Sequence, residues 1–208
     1  MKYRPPIGII LLVLIGTCAC APPPIKLTDE QIAALALSSQ DLPLDYAVDS
    51  AHTGLVTYDT LIAEGGVETA AYVKSVEGIH IYRTAFERIS SATGPLVIWS
   101  WVIVYQDETD AHGYFAAHTG LYPGAQPAST AFPRLGQESI ADYTTATIRG
   151  FRSNLRHIIF RQNNIVIYVA PLYAAAEPEQ EDDALQYAQL LETRLLALIR
   201  DLQATGSD

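Results

Sequence analysis

The ten residues from Leu96 to Tyr105, LVIWSWVIVY, contain no charged side chain. In an extended chain alternate residues point to opposite sides. Trp99, Trp101, Ile103 and Tyr105 then face one way, and Ile98, Ser100, Val102 and Val104 the other. A strand that is apolar on both sides belongs in the middle of a sheet with both of its faces covered. Any fold for this chain has to supply that cover.

Other segments supply the rest of the sheet. From Gly78, GIHIYRTAFERI alternates His80, Tyr82, Thr84 and Phe86 against Ile79, Ile81, Arg83 and Ala85, the period of a strand. Gly94–Pro95 makes the turn into the apolar strand. A short strand is expected around Tyr46 and a turn near Gly54. After a Pro/Gly-rich loop (120–136), strands are expected over Ser139–Ile148, Arg156–Arg161 and Ile165–Ala170. Asn163–Asn164 suits a tight hairpin between the last two, because asparagine tolerates positive φ.

Helices are marked by their ends. Thr28 with Gln31 forms a capping box, with Leu27 and Ile32 placed as a hydrophobic staple. Ile32, Leu35 and Ala36 make the buried stripe, and the helix stops before Pro43. Gly65–Gly66 precedes a helix expected over Val67–Val73. Asp107, Glu108 and Asp110 open another, their charges matched to its N-terminal dipole, with Ala111, Tyr114, Phe115 and His118 inward. Pro178 suits the first turn of the final helix. Its seam is Ala184, Ala188, Leu191, Leu195, Leu198 and Leu202, beside a second apolar row of Leu185, Leu190, Leu196 and Ile199. The sum is an α+β fold: an antiparallel sheet of about five or six strands with helices packed on both faces, an α/β/α sandwich.

The N-terminus carries a different message. Lys2 and Arg4 precede an aliphatic run from Ile7 to Ile15, the layout of an export signal. The run is shorter than the ~20 residues a spanning helix needs. It ends in IGTCAC, which holds both cysteines of the protein and resembles the signals of bacterial lipoproteins, in which the cysteine becomes the acylated first residue. Cys20 has the favoured Ala19 before it, whereas Cys18 has the better residue, Ile15, three positions upstream. Lipid attachment is therefore expected at Cys20, with Cys18 the alternative. No cysteine follows, so the folded part holds no disulfide and no thiolate metal site.

The expected organisation is a lipoprotein signal over 1–20, a Pro-rich spacer over 21–26, one α+β domain over 27–204 and a short tail over 205–208. Of the 13 Lys and Arg residues, only Lys2 and Arg4 fall in the signal, which has no acid; 11 remain against 23 Asp and Glu, a net charge of −12. Such a domain is repelled by nucleic acid and by anionic headgroups, so the lipid has to hold it at a membrane.

A wider resemblance rests on the order of DLP near Tyr46, YRTAF, a Trp-bearing strand followed by a helix, LGQES, IIFRQNNIVIYV and a terminal helix. Across residues 40–200 this layout resembles certain bacterial extracytoplasmic lipoproteins. These are related to the extracellular sensor domains of bacterial receptor kinases and to the PsbP-like sandwich. The resemblance implies a binding or accessory role and brings no catalytic residue with it.

Candidate sites are few. His112 and His118 lie on different faces of one helix, and His80 and His157 on separate strands, so no set of three or four zinc ligands is legible. The acidic run EPEQEDD lacks the alternating oxygen ligands and turn glycine of a calcium loop. Ser139 has no nucleophile-elbow glycines around it, and Ser100 lies between tryptophans as a packed residue. No phosphate-cradling glycine loop occurs. Neither catalytic residue, metal nor cofactor is assigned. Tyr82, Trp99, Trp101 and Tyr105 are the candidate ligand-binding residues, if they share one sheet face; packing against a helix is the favoured explanation of them and an apolar pocket the minority one. The expected protein is a monomeric, extracytoplasmic lipoprotein on the bacterial cell membrane. Its domain is non-catalytic and binds a protein or small-molecule ligand. The alternatives are a cell-envelope hydrolase and a structural subunit of a membrane complex.

Overall fold

The structure, a computed structural model, describes residues 23–63, 79–90, 93–118, 126–127, 132–148, 151–175 and 181–205. Cys18 and Cys20, the helix expected over Val67–Val73, and Pro178 lie outside the described residues.

Eight strands are present among the described residues: β1 Tyr46–Val48, β2 Gly54–Leu55, β3 His80–Arg88, β4 Val97–Val104, β5 Gln126–Pro127, β6 Glu138–Ile148, β7 Phe151–Gln162 and β8 Ile165–Ala174. They form one sheet in the order β1-β3-β4-β8-β7-β6-β5, with β2 also on β3, and every pairing is antiparallel. The expected five or six strands were an undercount. Strands of two residues, such as β2 and β5, are too short to show a period.

β4 occupies the inner position its two apolar sides require, between β3 and β8. Two other strands are longer than their sequences announce. β7 starts at Phe151, five residues before Arg156. β8 continues through Pro171 to Ala174, although proline brings no N–H to a ladder. The β7–β8 register runs from Ser153↔Ala174 to Leu155↔Leu172 and resumes at Ile158↔Val169, skipping the positions beside Pro171. The β7–β8 turn is Asn163–Asn164, with Asn163 at φ 53° as its chemistry allows.

The α-helices among the described residues are α1 Asp29–Leu35, α2 Tyr58–Ala63, α3 Glu108–His118 and α4 Glu181–Thr205. The α1 capping box forms as read: Gln31 N donates to Thr28 Oγ1 at 3.2 Å, and Thr28 N to Gln31 Oε1 at 2.9 Å. Alternation along the strands sorts the interior into clusters. Ile98, Val102 and Val104 of β4, Phe86, Ile158, Phe160, Ile167 and Val169 pack with Ile32 and Leu35 of α1 and with Ala184, Ala188, Leu191 and Leu195 of α4. Strand residues of the other parity, Ile81, Ile103, Ile159 and Val166, pack with Ala111 and Phe115 of α3.

The seam of α4 departs from expectation at its end. Ile199, read as second-row, is buried, while Leu198 and Leu202 are half-buried and Leu196 is exposed. A 3.6-residue period carries the buried stripe from Leu195 to Ile199. Arg194 fixes the angle of this helix by donating to both carboxylate oxygens of Asp41 and to the Ala36 carbonyl.

The expected spacer is partly fold. Ile25 N donates to Asn164 Oδ1 at 2.9 Å, and Asn164 Nδ2 donates back to the Ile25 carbonyl at 2.9 Å and to the Tyr105 carbonyl at 2.6 Å. Ile25 and Leu27 also pack on the larger cluster.

Candidate functional site

The strand registers define rows of side chains across the sheet. One row holds Arg83, Trp101, Tyr168, Ile159 and Ile140 on β3, β4, β8, β7 and β6. Two residues further along, β3 and β4 contribute Ala85 and Trp99, β8 contributes Ala170, and β7 and β6 contribute the facing pair His157 and Asp142. These two rows share a face, because each strand advances by two residues between them.

Of the four aromatic candidates, the structure brings three to this face and separates one. Trp101 packs on the cluster that contains Tyr105, and Trp99 on the adjacent cluster of Leu155, Ala170 and Leu172; Tyr168 touches both. Tyr82 pairs with Val102 and packs against the opposite cluster. It is one residue out of phase with Trp101 and Trp99 and cannot join them. Tyr105 is buried, with its ring 5.5 Å from that of Tyr114, so it is a core residue. Trp99, Trp101 and Tyr168 are half-buried.

Polar groups lie among these rings. The Arg83 guanidinium sits 5.5 Å from the Trp101 ring centroid, a cation–π contact, and its Nε donates to the His52 carbonyl at 2.9 Å. His157 is wholly buried. Its Nδ1 lies 3.1 Å from the Tyr168 hydroxyl, and the two rings meet edge-on at 5.5 Å and 85°. Asp142 Oδ1 is 3.8 Å from the same Nδ1, too long for a hydrogen bond, and that buried oxygen has no hydrogen-bond partner. Burial pushes the Asp142 carboxyl up to about 6. Tyrosine, histidine and an aspartate whose proton affinity is raised by burial, within one patch, make a group that can give or take a proton and donate or accept hydrogen bonds.

Asp142, His157 and Tyr168 were not legible as a set. Their pairing follows from the β6–β7 register, which starts at Ile148↔Phe151 and brings Asp142 opposite His157 six residues on. Starting the second strand at Arg156 hides that register.

The remaining candidates lie apart from this group. His80 lies on the parity of Tyr82, half-exposed and 3.5 Å from Asp29, and so does not converge with His157. His112 Nδ1 meets Glu138 Oε2 at 3.0 Å. Arg161, nearly buried, donates Nε to the same oxygen at 2.5 Å and Nη1 to Glu108 Oε1 at 2.9 Å, tying the start of α3 to β6 and β7. Burial raises the Glu138 carboxyl, but the hydrogen bonds from His112 and Arg161 outweigh it and hold the group below its ordinary value. Ser139 Oγ accepts from Leu135 N at 3.0 Å. Ser100 is fully buried opposite Thr84, and neither hydroxyl has a hydrogen-bond partner. The side chain of His118 lies outside the described residues, as do the first four residues of the EPEQEDD run. At its end, Asp183 accepts a hydrogen bond from Tyr173 at 3.3 Å. Among the described residues no three His, Cys, Asp or Glu side chains group to hold a metal ion, and no helix is long and apolar enough to cross a membrane.

Comparison of the chain with protein-family models, curated proteins and solved structures finds no match.

Proposed function

We propose that this protein is an extracytoplasmic lipoprotein of the bacterial cell membrane whose domain binds a ligand or partner and does not catalyse. Its recognition surface is the patch of Trp99, Trp101 and Tyr168 with Arg83, His157 and Asp142 between and beside them. The observation that carries this reading is the half-burial of three large aromatic side chains on one sheet face, next to polar groups in an otherwise apolar setting. That combination lines binding sites: rings supply area, and a few placed polar groups supply orientation. The finer architecture belongs to the same proposal. Cluster membership supports a three-layer α/β/α arrangement, with α1 and α4 on one side of the sheet and α3 on the other.

Two experiments test it. Palmitate should label the protein, and Cys20→Ser should abolish label and membrane retention while Cys18→Ser leaves them; the reverse pattern moves the lipid to Cys18, and no effect of either removes the anchor. Titration with envelope lipids, glycans and divalent metals should change tryptophan fluorescence for one class, and Trp99→Ala should weaken that binding at least tenfold. Silence with every class would favour the structural-subunit reading.

The hydrolase alternative is kept by one observation, the meeting of Asp142, His157 and Tyr168. Turnover of an ester, peptide or glycoside substrate that disappears in His157→Gln would establish it.

A further inference from the structure

From the clamp on Ile25 we infer which end of the domain stands at the bilayer: the end carrying the Asn163–Asn164 turn, the close of β4 and the start of α3. The inference rests on the lipoprotein reading and extends it to an interaction surface, the lipid headgroup layer. Asn164 is almost fully buried, and its amide bonds both polar groups of the Ile25 backbone while also holding the Tyr105 carbonyl. The chain is therefore fastened to this end of the sheet. Whatever path the intervening residues take, five peptide steps separate Ile25 from Cys20. At no more than ~3.6 Å each they reach about 18 Å, and from Cys18 about 25 Å.

The sheet is longer than either tether. β8 leaves this end at Ile165 and reaches the other at Ala174, roughly 30 Å away at ~3.4 Å per residue. The fastened end stays within about 18–25 Å of the bilayer surface, less than the length of the sheet, so the domain can tip but cannot invert. Charge does not drive this placement: Asp107, Glu108 and Glu138 all lie at this end, so the tether alone accounts for it. Trp99 lies five residues along β4 from Val104, about 17 Å up the sheet. A ligand of the aromatic patch is then met from the aqueous side rather than from within the bilayer.

The test uses the full chain, lipidated in cells and reconstituted into phosphatidylcholine vesicles with a headgroup-linked acceptor. A fluorescent amino acid is incorporated genetically in place of Gln106, exposed at the fastened end, or of Ala175, exposed at the other. Energy transfer should be at least twofold more efficient from position 106. Twenty Gly/Ser residues inserted between Ala21 and Pro22 add ~25 Å of mean reach and should erase most of the difference. Equal or reversed efficiencies in palmitate-labelled protein overturn the inference alone, as does a difference that survives the insertion. Protein that takes up no palmitate overturns the lipoprotein reading and this inference with it.

Discussion

Replacing Asp142 by asparagine should stabilise this protein, and only at the pH where the aspartate is charged. Its carboxyl is mostly buried, one oxygen has no hydrogen-bond partner, and the nearest imidazole nitrogen is 3.8 Å away. Burial raises it from 3.8 to about 6. The folded state thus holds this proton more tightly than the unfolded state does. Protonation favours the fold: the carboxyl costs nothing below pH 3.8, and the cost grows as pH rises and is complete above about 6. At 1.36 kcal/mol per pH unit, that interval corresponds to a ceiling of about 3 kcal/mol. Asparagine keeps the shape and removes the charge. Urea unfolding followed by tryptophan fluorescence should find Asp142→Asn about 2–3 kcal/mol more stable than the parent at pH 8 and equal to it near pH 4. A variant less stable than the parent at pH 8 would refute the reasoning. It would mean that an ion pair with His157 outweighs desolvation, despite the distance between them.

Two further outcomes bear on the scaffold. Leu195→Ala empties a fully buried position between α4 and the sheet and should cost ~2–5 kcal/mol in the same unfolding assay; a loss below ~1 kcal/mol would mean that α4 does not wall the core. Gly136→Ala should cost about 2–5 kcal/mol, because Gly136 has φ +56° and a Cβ there would collide with the Arg161 carbonyl oxygen; an unchanged midpoint would show that this turn relaxes freely.

Much of the scaffold was legible because its signals are local. A capping box needs only Thr28 and Gln31, a turn only Asn163–Asn164, and the alternation of β4 depends on its own eight residues. Each of these is settled by backbone geometry and side chains within a few positions. The extents of β7 and β8 were not, since pairing with neighbours on both sides carries β8 past Pro171 against its local preference. The division of the four aromatic candidates was half legible. Periodicity within β4 put Trp99 and Trp101 together, but whether Tyr82 joins them depends on the β3–β4 register, a relation between segments about twenty residues apart.

The sequence by itself determined the class of fold, the inner position of β4, the helix start at Thr28 and the acidic balance of the chain, because composition and local periodicity carry them. Only the tertiary structure decided that His157 meets Tyr168 and Asp142, that Tyr82 turns away from the tryptophans, and that Ile25 is fastened to Asn164, 139 positions along the chain. These are cross-strand and long-range contacts. They exist once strands pair in one register rather than another, and that choice is made by the burial of whole faces, which no short stretch of sequence contains.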